Sequence, residues 1–351
     1  MKQTIRENFL IVGPSWIGDM VMAQSLFISL KTRYVDCEIS VLAPQWTRPL
    51  LDRMVEVDRS IGLPVQHGEL KLSERRALGK SLREHKFSGA IILPNSFKSA
   101  LVPVHAKIPR RIGWRGEWRN MLLTDCRKLN EGNFPRMVQR FTALAYPASA
   151  EPPADIPWPA LTIEVKNTEA ALQAFGLETS ETILAICPGA EYGDSKQWPA
   201  AHYAKLASAV LADGWQVWIF GSAKDAAIAD EIEAGIDEAA LQAHNLSNLA
   251  GKTSLAQVID LMSAASVVVS NDSGLMHIAA ALHKPVVGIY GSTSPDFTPP
   301  LAQRVKILVS ELDCWPCFKR VCPYDHLRCL RDLDPLRVIN AVAELHRLPL
   351  S

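Results

Sequence analysis

The sequence predicts an α/β protein built from two Rossmann-like domains. Short β-branched segments alternate with segments of helical apolar period in both halves of the chain, a pattern typical of parallel sheets covered by helices. Five prolines fall within residues 146–159, where they disfavour regular structure. The strand–helix pattern restarts after this stretch. We therefore expect a proline-rich linker that closes a domain at 1–160 and precedes a second domain at 161–330.

The elements of the first half follow from composition and period. The segment Phe9–Val12 is short and apolar, as expected of a buried strand, and a loop punctuated by glycines follows it. Apolar residues between Met22 and Leu30 then recur with a helical period. Two further strands are predicted at Ile39–Ala43 and Ile91–Pro94. A charged surface helix is predicted between them, at Leu70–His85.

The second half repeats this alternation. A helix is predicted to begin at Ala200, and Asp334 followed by Pro335 predicts the start of a last helix, because these residue types favour the N-cap and first helical position. That helix continues to about Arg347 and occupies a third segment, 331–351. Strands are predicted at Ile183–Cys187, Gln216–Phe220, Val267–Val269 and Val286–Tyr290.

Composition excludes several function classes. The 351 residues include 37 Lys and Arg and 37 Asp and Glu, so no overall charge favours nucleic acid as a partner. The apolar run Phe9–Val12 is too short for the core of a signal peptide, and no segment approaches the ~18 apolar residues of a membrane span. We expect a cytoplasmic protein that binds no nucleic acid and is able to rest on a membrane surface.

The segment 267–282 places polar residues between a strand and a helix. Three consecutive valines predict the strand, and Asn271–Gly274 breaks it before an apolar helical segment. At such junctions the free N–H groups of the first helical turn attract phosphate, and small residues let a ligand approach. Asp272 and Ser273 are also residue types of ordinary helix N-caps, so the segment alone leaves both interpretations open.

Two stretches of the first half are unusually polar. Asn95–Ser99 follows a buried strand, which puts its side chains at the same sheet edge as Asp19. Arg110–Arg119 sets four arginines among two tryptophans. A charge run of this kind is either a solvated basic loop or a surface that grips a phosphorylated or carboxylated acceptor, as arginine does with two parallel hydrogen bonds.

Four of the seven cysteines lie within sixteen residues of one another. In a cytoplasmic chain this clustering argues against a disulfide scaffold. The spacing fits the common zinc motifs poorly, so reduced structural thiols and a redox pair are alternatives to a metal site. We expect a structural zinc ion held by Cys314, Cys317, Cys322 and Cys329.

The common nucleotide and hydrolase motifs are absent from the sequence. No two glycines stand two residues apart, which excludes the dinucleotide fingerprint. The tripeptide at 251–253 resembles the end of a phosphate-binding P-loop, but Leu246 stands where that motif requires glycine. The sequence also contains no nucleophile elbow and no His-Glu-x-x-His helix. These absences disfavour dehydrogenases, nucleotide-sugar epimerases, P-loop kinases, hydrolases and zinc proteases.

Five motifs, spread along almost the whole chain, resemble those of the ADP-heptose lipopolysaccharide heptosyltransferases of glycosyltransferase family 9. They are GPSWIGDM at 13–20, LPNSFKSAL at 93–101, IGWRG at 112–116, CPGAE at 187–191 and SNDSGLMH at 270–277. The resemblance implies a GT-B fold, in which two Rossmann-like domains face each other across a cleft. It also implies that the final helix crosses back and packs on the N-terminal domain.

The resemblance further implies an inverting transfer of heptose. The donor would be ADP-L-glycero-D-manno-heptose, and the acceptor the first inner-core heptose of the Kdo–lipid A precursor at the inner face of the inner membrane. No cofactor is implied for the chemistry, and the sequence leaves open whether a divalent cation contributes. The alternatives are another family 9 enzyme that adds the first or third heptose, and a non-catalytic nucleotide-sugar-binding protein, which would bind ADP-heptose without releasing ADP.

Two catalytic roles come from matching these motifs. Asp19 matches an acidic residue proposed as the general base, which would take the proton of the acceptor hydroxyl. Lys196 matches a lysine that faces the donor diphosphate, where a fixed ammonium stabilises the departing charge. Judged alone, Asp19 is equally a helix-start carboxylate and Lys196 a solvated loop lysine.

The remaining site residues divide between donor and acceptor. His277 lies one helical turn after Ser273, although it is equally a packed core histidine when judged alone. The donor-binding residues are expected to be Lys196, Asp225, Asp272, Ser273, Gly274, Leu275 and His277. The acceptor-binding residues are expected to be Ser15, Asn95, Lys98 and Arg115.

Overall fold

The computed structural model describes residues 6–65, 68–151, 155–241 and 245–347. The chain divides into two compact units, Met1–Pro159 and Ala160–Ser351. The proline-rich stretch lies at their junction, and its residues 152–154 fall outside the described ranges. Each unit contains one six-stranded sheet, and every strand pair is parallel. The predicted α/β class with two Rossmann-like domains is confirmed.

The first sheet has the strand order β3-β2-β1-β4-β5-β6, so the order reverses direction between β1 and β4. Its strands are β1 Asn8–Val12, β2 Glu38–Pro44, β3 Arg59–Leu63, β4 Gly89–Ile92, β5 Arg110–Trp114 and β6 Asp125–Arg127. The helices of this unit are α1 Ile17–Arg33, α2 Arg48–Leu51, α3 Leu72–Ser81, α4 Leu101–His105 and α5 Met137–Thr142.

The second sheet has the order β12-β11-β10-β7-β8-β9 and reverses between β7 and β10. Its strands are β7 Ile183–Cys187, β8 Gln216–Ile219, β9 Leu246–Asn248, β10 Val267–Asn271, β11 Val286–Tyr290 and β12 Val305–Val309. The helices are α6 Val165–Phe175, α7 Ala200–Ala212, α8 Ala226–Ala234, α9 Glu238–Leu241, α10 Leu255–Met262, α11 Gly274–Ala281, α12 Arg328–Arg331 and α13 Pro335–Arg347.

These two orders determine where a ligand is expected. In an open parallel sheet, the loops that follow two adjacent strands diverge at the point where the order reverses, and the crevice they leave at the carboxyl ends is the usual binding site. That point lies between β1 and β4 in the first unit and between β7 and β10 in the second. The loops after these four strands carry most of the candidate site residues.

Helix α1 anchors the first of these loops. Most of its side chains are buried, including Met20, Leu26 and Leu30. Gly13, at the end of β1, lies so close to Met20 that an added Cβ would fall 2.6 Å from the methionine methyl group. Glycine at this position therefore lets the loop turn tightly into α1. Within the described ranges, no helix is both long enough and apolar enough to cross a bilayer.

The last helix contributes to the hydrophobic core of the second unit. The buried face of α13 belongs to the hydrophobic core of the second unit, where the helix lies against α7 and the strands β10, β11 and β12. This face consists of Val338, Ala341, Val342 and Leu345. The helix starts only a few residues after α12, and Leu330 in α12 and Leu333 on the connection are buried in the same core. The short connection thus delivers the apolar face of α13 to its own domain.

Candidate functional site

Lys196 and Asp272 meet at the reversal point of the second sheet. Lys196 ends a short 3₁₀ turn, Asp194–Lys196, in the loop after β7, and Asp272 directly follows β10. The lysine Nζ lies 2.6 Å from Asp272 Oδ2 and 3.3 Å from the Asp272 carbonyl oxygen. Two residues 76 positions apart therefore form one ion pair, at the edge where a doubly wound sheet binds its ligand.

The pair is largely withdrawn from water. Asp272 is 4% exposed, and its Oδ2 also accepts a 2.6 Å hydrogen bond from the Thr293 hydroxyl. The Lys196 ammonium lies 4.8 Å from the centre of the Tyr192 ring, within the range of a cation–π contact. Arg320 approaches the same ring at 5.2 Å. A fixed, weakly hydrated ammonium of this kind suits a site for negative charge.

A buried amide fixes the loop that carries Lys196. The Asn271 side chain donates to the Pro188 carbonyl oxygen at 2.6 Å. Its Oδ1 accepts from the Trp198 backbone N–H at 3.2 Å and from the Tyr203 hydroxyl at 2.9 Å. Asn271 thus joins both ends of the loop 188–198 to the end of β10. The position of Lys196 is set by these contacts as well as by its own ion pair.

Helix α11 begins beside this pair. Ser273 is its N-cap residue, and the Ser273 hydroxyl lies 3.2 Å from that of Ser270. Gly274 and Leu275 form the partly exposed first turn. His277, one turn on, is buried, and burial lowers the pKa of its imidazole from 6.5 to about 4, with the Lys196 charge acting in the same direction against Asp272. His277 is therefore neutral at physiological pH and able to donate or accept a hydrogen bond.

Asp225 has a local structural role in the loop after β8. Its Oδ2 accepts from both the backbone N–H and the hydroxyl of Ser222, at 2.8 and 2.7 Å. The carboxyl group also packs against the backbone after β7, because a Cβ added at Gly189 would lie 2.6 Å from it. These contacts stabilise the turn that begins α8, and a donor-binding role for Asp225 stays a prediction.

The acceptor candidates gather at the reversal point of the first sheet. Ser15 and Asp19 follow β1, and Asn95 and Lys98 follow β4, the neighbouring strand. Asp19 is half-buried in the first turn of α1, where the helix dipole favours a carboxylate. Asn95 is exposed and Lys98 half-buried. The strand order accordingly places all four at one edge of one domain.

A family model of glycosyltransferase family 9 (heptosyltransferase) matches residues 75–328. This is more than half of the chain, and it includes Asn95, Lys196 and the Asp272–His277 segment. The chain belongs to glycosyltransferase family 9. The resemblance drawn from the five sequence motifs is confirmed at the level of the family, and with it the assignment to the glycosyltransferases.

Individual members of the family are similar over nearly the full length. The chain is 45% identical to lipopolysaccharide heptosyltransferase 2 of Salmonella typhimurium, with 97% of this chain and 98% of that protein covered. The solved structure of E. coli ADP-heptose lipopolysaccharide heptosyltransferase II matches with a TM-score of 0.87 at 42% identity, covering 97% and 98%. Lipopolysaccharide heptosyltransferase 3 of E. coli is 25% identical over 82% of this chain and 83% of its own.

One arginine of the basic stretch Arg110–Arg119 is buried, which the sequence did not indicate. Arg119 is fully buried, and its guanidinium donates to the carbonyl oxygens of Trp114 and Pro94, to the Ser99 hydroxyl and to Asn95 Oδ1. Burial lowers its pKa to about 10. The expectation of four arginines on one acceptor surface, or of one solvated basic loop, is therefore wrong for Arg119.

The other three arginines also differ from one another. Arg110 pairs with Glu7, and Arg111 donates to the carbonyl oxygens of Ile108 and Leu122. Both residues lie on strand β5 rather than in a loop. Arg115, just beyond the end of that strand, is exposed. Of the four, Arg115 is the one whose position at the carboxyl edge suits an acceptor role.

The expected zinc site is not supported. Cys314, Cys317, Cys322 and Cys329 line one small cavity, but across the described ranges no three His, Cys, Asp or Glu side chains are arranged to hold a metal ion. Trp315, Pro323, Tyr324 and Leu327 share the cavity wall with the thiols. All four are free cysteines. Burial and the three neighbouring thiols raise the pKa of Cys329 to about 11, which favours the protonated thiol.

The sequence interpretation missed two residues that contact the Lys196–Asp272 pair. Thr293 follows β11, a buried strand adjacent to β10, so the strand-end rule applied to Asp272 also points to the Ser292–Ser294 stretch. Tyr192 carried no such signal, because an isolated tyrosine in a loop is compatible with many roles. Its contact with Lys196 follows from the fold of the loop after β7.

We expect the low pKa of His277 to appear in the pH dependence of stability. Between pH 6.5 and 4 the unfolded chain binds a proton at this position and the folded chain does not, so the free energy of unfolding falls as the pH decreases through this window. A pKa lowered from 6.5 to about 4 corresponds to a loss of about 3 kcal/mol by pH 4.

Urea unfolding between pH 4 and 7 measures this slope, and His277→Gln is expected to flatten it. His283→Asn is the matched control, because His283 is an exposed histidine of the same domain and asparagine tolerates its positive φ of 58°. An unchanged slope in His277→Gln would show that His277 is not buried in its neutral form.

Proposed function

We propose that this family 9 enzyme transfers heptose, with inversion, from ADP-L-glycero-D-manno-heptose to the first inner-core heptose of the Kdo–lipid A precursor. The observation that carries the proposal is the fixed Lys196–Asp272 pair beside the start of α11, since it forms a built site for the charged part of a nucleotide-sugar donor. The 45% identity to a heptosyltransferase 2, against 25% to a heptosyltransferase 3, supports addition of the second heptose.

The acceptor class is tested by measuring ADP release from ADP-heptose. Acceptors that carry no, one or two heptoses on the Kdo–lipid A core are compared, and turnover is expected with the one-heptose acceptor. A preference for the acceptor without heptose or with two would assign the enzyme to another step of the same assembly. Binding of ADP-heptose without ADP release would instead identify a binding protein.

In the proposed reaction the donor domain stabilises the leaving group. Breaking the bond between the anomeric carbon and the diphosphate leaves negative charge on ADP. The Lys196 ammonium is oriented in advance by Asp272, so it meets that charge without reorganising. The N–H groups of the first turn of α11 add a favourable dipole, and Ser273, Gly274 and Leu275 allow the donor to approach them.

The acceptor domain supplies the base. Asp19 takes the proton of the acceptor hydroxyl as its oxygen attacks the anomeric carbon, and the dipole of α1 favours the ionised carboxylate that this role needs. Ser15, Asn95, Lys98 and Arg115 orient the acceptor at the same sheet edge. We place the reaction at the inner face of the inner membrane, because this acceptor is attached to lipid.

Lys196→Ala is expected to lower kcat by about 100-fold or more, because the charge of the departing diphosphate loses a preorganised cation. ADP release at saturating donor and acceptor measures the effect. Lys306→Ala is the matched control, since Lys306 pairs with Glu344 on the surface of the same domain. Turnover close to wild type in Lys196→Ala would remove this residue from the mechanism.

Asp19→Asn is expected to lower transfer by roughly 100- to 10,000-fold, because the amide keeps the shape of the carboxylate and cannot accept the proton. ADP-heptose affinity, measured by calorimetry, should stay unchanged. Asp36→Asn, an exposed carboxylate beyond the other end of α1, serves as the control. An unaltered kcat in Asp19→Asn would reduce Asp19 to a helix-start carboxylate and leave the reaction without its base.

Arg115→Ala is expected to raise the KM for the acceptor and to leave donor affinity near wild type, because Arg115 lies on the acceptor domain. Steady-state kinetics with each substrate varied in turn separates the two effects. Arg76→Ala on the surface helix α3 removes an exposed arginine elsewhere on the same domain and controls for net charge. A fall in donor affinity with an unchanged acceptor KM would show that the donor, and not the acceptor, binds to this domain.

A further inference from the structure

Exposed aromatic side chains mark the carboxyl edge of the first sheet. The strands β1, β2, β4 and β5 are parallel neighbours, so the loops after them emerge at one edge. Each of these four loops carries one exposed large aromatic residue, namely Trp16, Trp46, Phe97 and Trp118. Single exposed apolar residues are ordinary, but four aromatic residues at one edge of a sheet indicate an interaction surface.

Two apolar side chains in the loop after β5 are far more exposed than the other three aromatic residues of this edge. Trp118 and the nearby Met121 are each 92% exposed, whereas Trp16, Trp46 and Phe97 are between 37% and 53% exposed. Partial exposure suits a wall on which a sugar stacks. Exposure of almost the whole indole and thioether suits insertion into an apolar environment, because the transfer of these groups out of water is the most favourable in free energy.

The backbone holds Trp118 outward. Its φ of 32° lies in the left-handed region, which a bulky residue adopts only when its surroundings impose it. Those surroundings are rigid, since the next residue is the fully buried Arg119. On the other side of Trp118, the Glu117 carboxylate accepts from the Phe97 backbone N–H at 2.9 Å. The residues on either side of Trp118, Glu117 and Arg119, are therefore held in place and keep the tryptophan side chain exposed.

The charges beside this loop are mostly positive. Arg115 is exposed, and its backbone N–H donates to the Arg127 carbonyl oxygen at 2.6 Å, which places the exposed Lys128 next to it at the end of β6. The acidic neighbour Glu117 is engaged with the Phe97 backbone, as described above. Cations that flank exposed Trp and Met side chains match a bilayer interface with anionic headgroups.

This loop is continuous with the proposed acceptor residues. The Arg119 guanidinium donates to Asn95 Oδ1 at 2.9 Å, and Gly116 packs so closely on Asn95 that an added Cβ would lie 2.6 Å from its carbonyl oxygen. If this loop binds to a bilayer, the proposed acceptor residues therefore lie next to the same bilayer.

We propose that Trp118 and Met121 insert into the surface of an anionic lipid bilayer, with Arg115 and Lys128 against its headgroups, and so dock the acceptor domain on the membrane. This inference rests on the proposed function, in that a lipid-anchored acceptor is what makes docking useful. It adds to that function the side chains and the orientation by which the enzyme meets the membrane.

The first test measures binding to vesicles of phosphatidylethanolamine and phosphatidylglycerol by co-sedimentation. The double variant Trp118→Ser/Met121→Ser is expected to bind at least about tenfold more weakly than wild type, because it removes most of the apolar area available for insertion. Val35→Ser is the matched control, since Val35 is 84% exposed in the turn between α1 and β2, at the opposite edge of the sheet. Wild-type binding by the double variant overturns the proposal.

A second measurement reports insertion directly. Vesicles are expected to shift the tryptophan emission of the wild type to shorter wavelength, and Trp118→Phe should keep vesicle binding while losing much of that shift. If analytical ultracentrifugation instead shows that Trp118 and Met121 mediate a dimer, and vesicles are not bound, the surface belongs to a second copy of the chain and the proposal is overturned.

The third measurement separates docking from catalysis. With a water-soluble, deacylated acceptor, the double variant is expected to keep the wild-type kcat and KM, and with acceptor embedded in vesicles its turnover should fall with its binding. Loss of turnover on the soluble acceptor would make these side chains part of the acceptor site and overturn docking. Failure of the wild type to release ADP with any heptose acceptor would reject the proposed function, whereas vesicle binding is decided independently by the first test.

Discussion

Asp272 is a carboxylate held almost entirely out of water, and the loops at the carboxyl edge of the second sheet are organised around pairing it. An unpaired buried charge costs several kcal/mol, so the fold must bring cationic and hydroxyl groups to it. Lys196 and Thr293 both reach the same carboxyl oxygen, one from the loop after β7 and the other from the segment after β11. Three loops are thereby tied to one point at the end of β10. The same contacts fix the ammonium to which the proposed reaction assigns the charge of the leaving diphosphate.

The sequence could predict the elements of the fold that are apolar along their whole length. The central strands β7 and β11 are buried along their whole length and were predicted to the residue. The strand β3, Arg59–Leu63, lies at a sheet edge and was missed, because half-exposed strands carry polar residues that resemble a loop. Helix α13 was predicted with its bounds, whereas the core of the second unit that receives its buried face is seen only in the structure. An amphipathic period shows that a helix has an apolar face, and it does not show which core receives that face.

The candidate site was predictable to the same extent. Parallel strands bring their carboxyl ends to one edge, so polar residues after apolar runs could be assigned to that edge without a structure, and Asp19, Asn95 and Asp272 were found in this way. The pairing of Lys196 with Asp272 required the strand order, because 76 residues separate them. Arg115 and Arg119 could not be distinguished in a run of charges, since burial is decided by the three-dimensional course of the loop.

In the first unit, Arg119 joins loops in a way related to the Lys196–Asp272 pair of the second unit. Its guanidinium binds Pro94, Asn95 and Ser99 after β4, and Trp114 at the end of β5, so the loops that follow two neighbouring strands form one rigid body. In the second unit the cation that joins the loops, Lys196, keeps 13% of its side chain exposed, whereas Arg119 is fully buried. Arg119 therefore has a positioning role, because it holds Asn95 and the backbone at Trp114, the residue before Arg115. Glycosyl transfer depends on reacting groups held in position, and in each domain a buried charged side chain joins the loops that carry the proposed site residues.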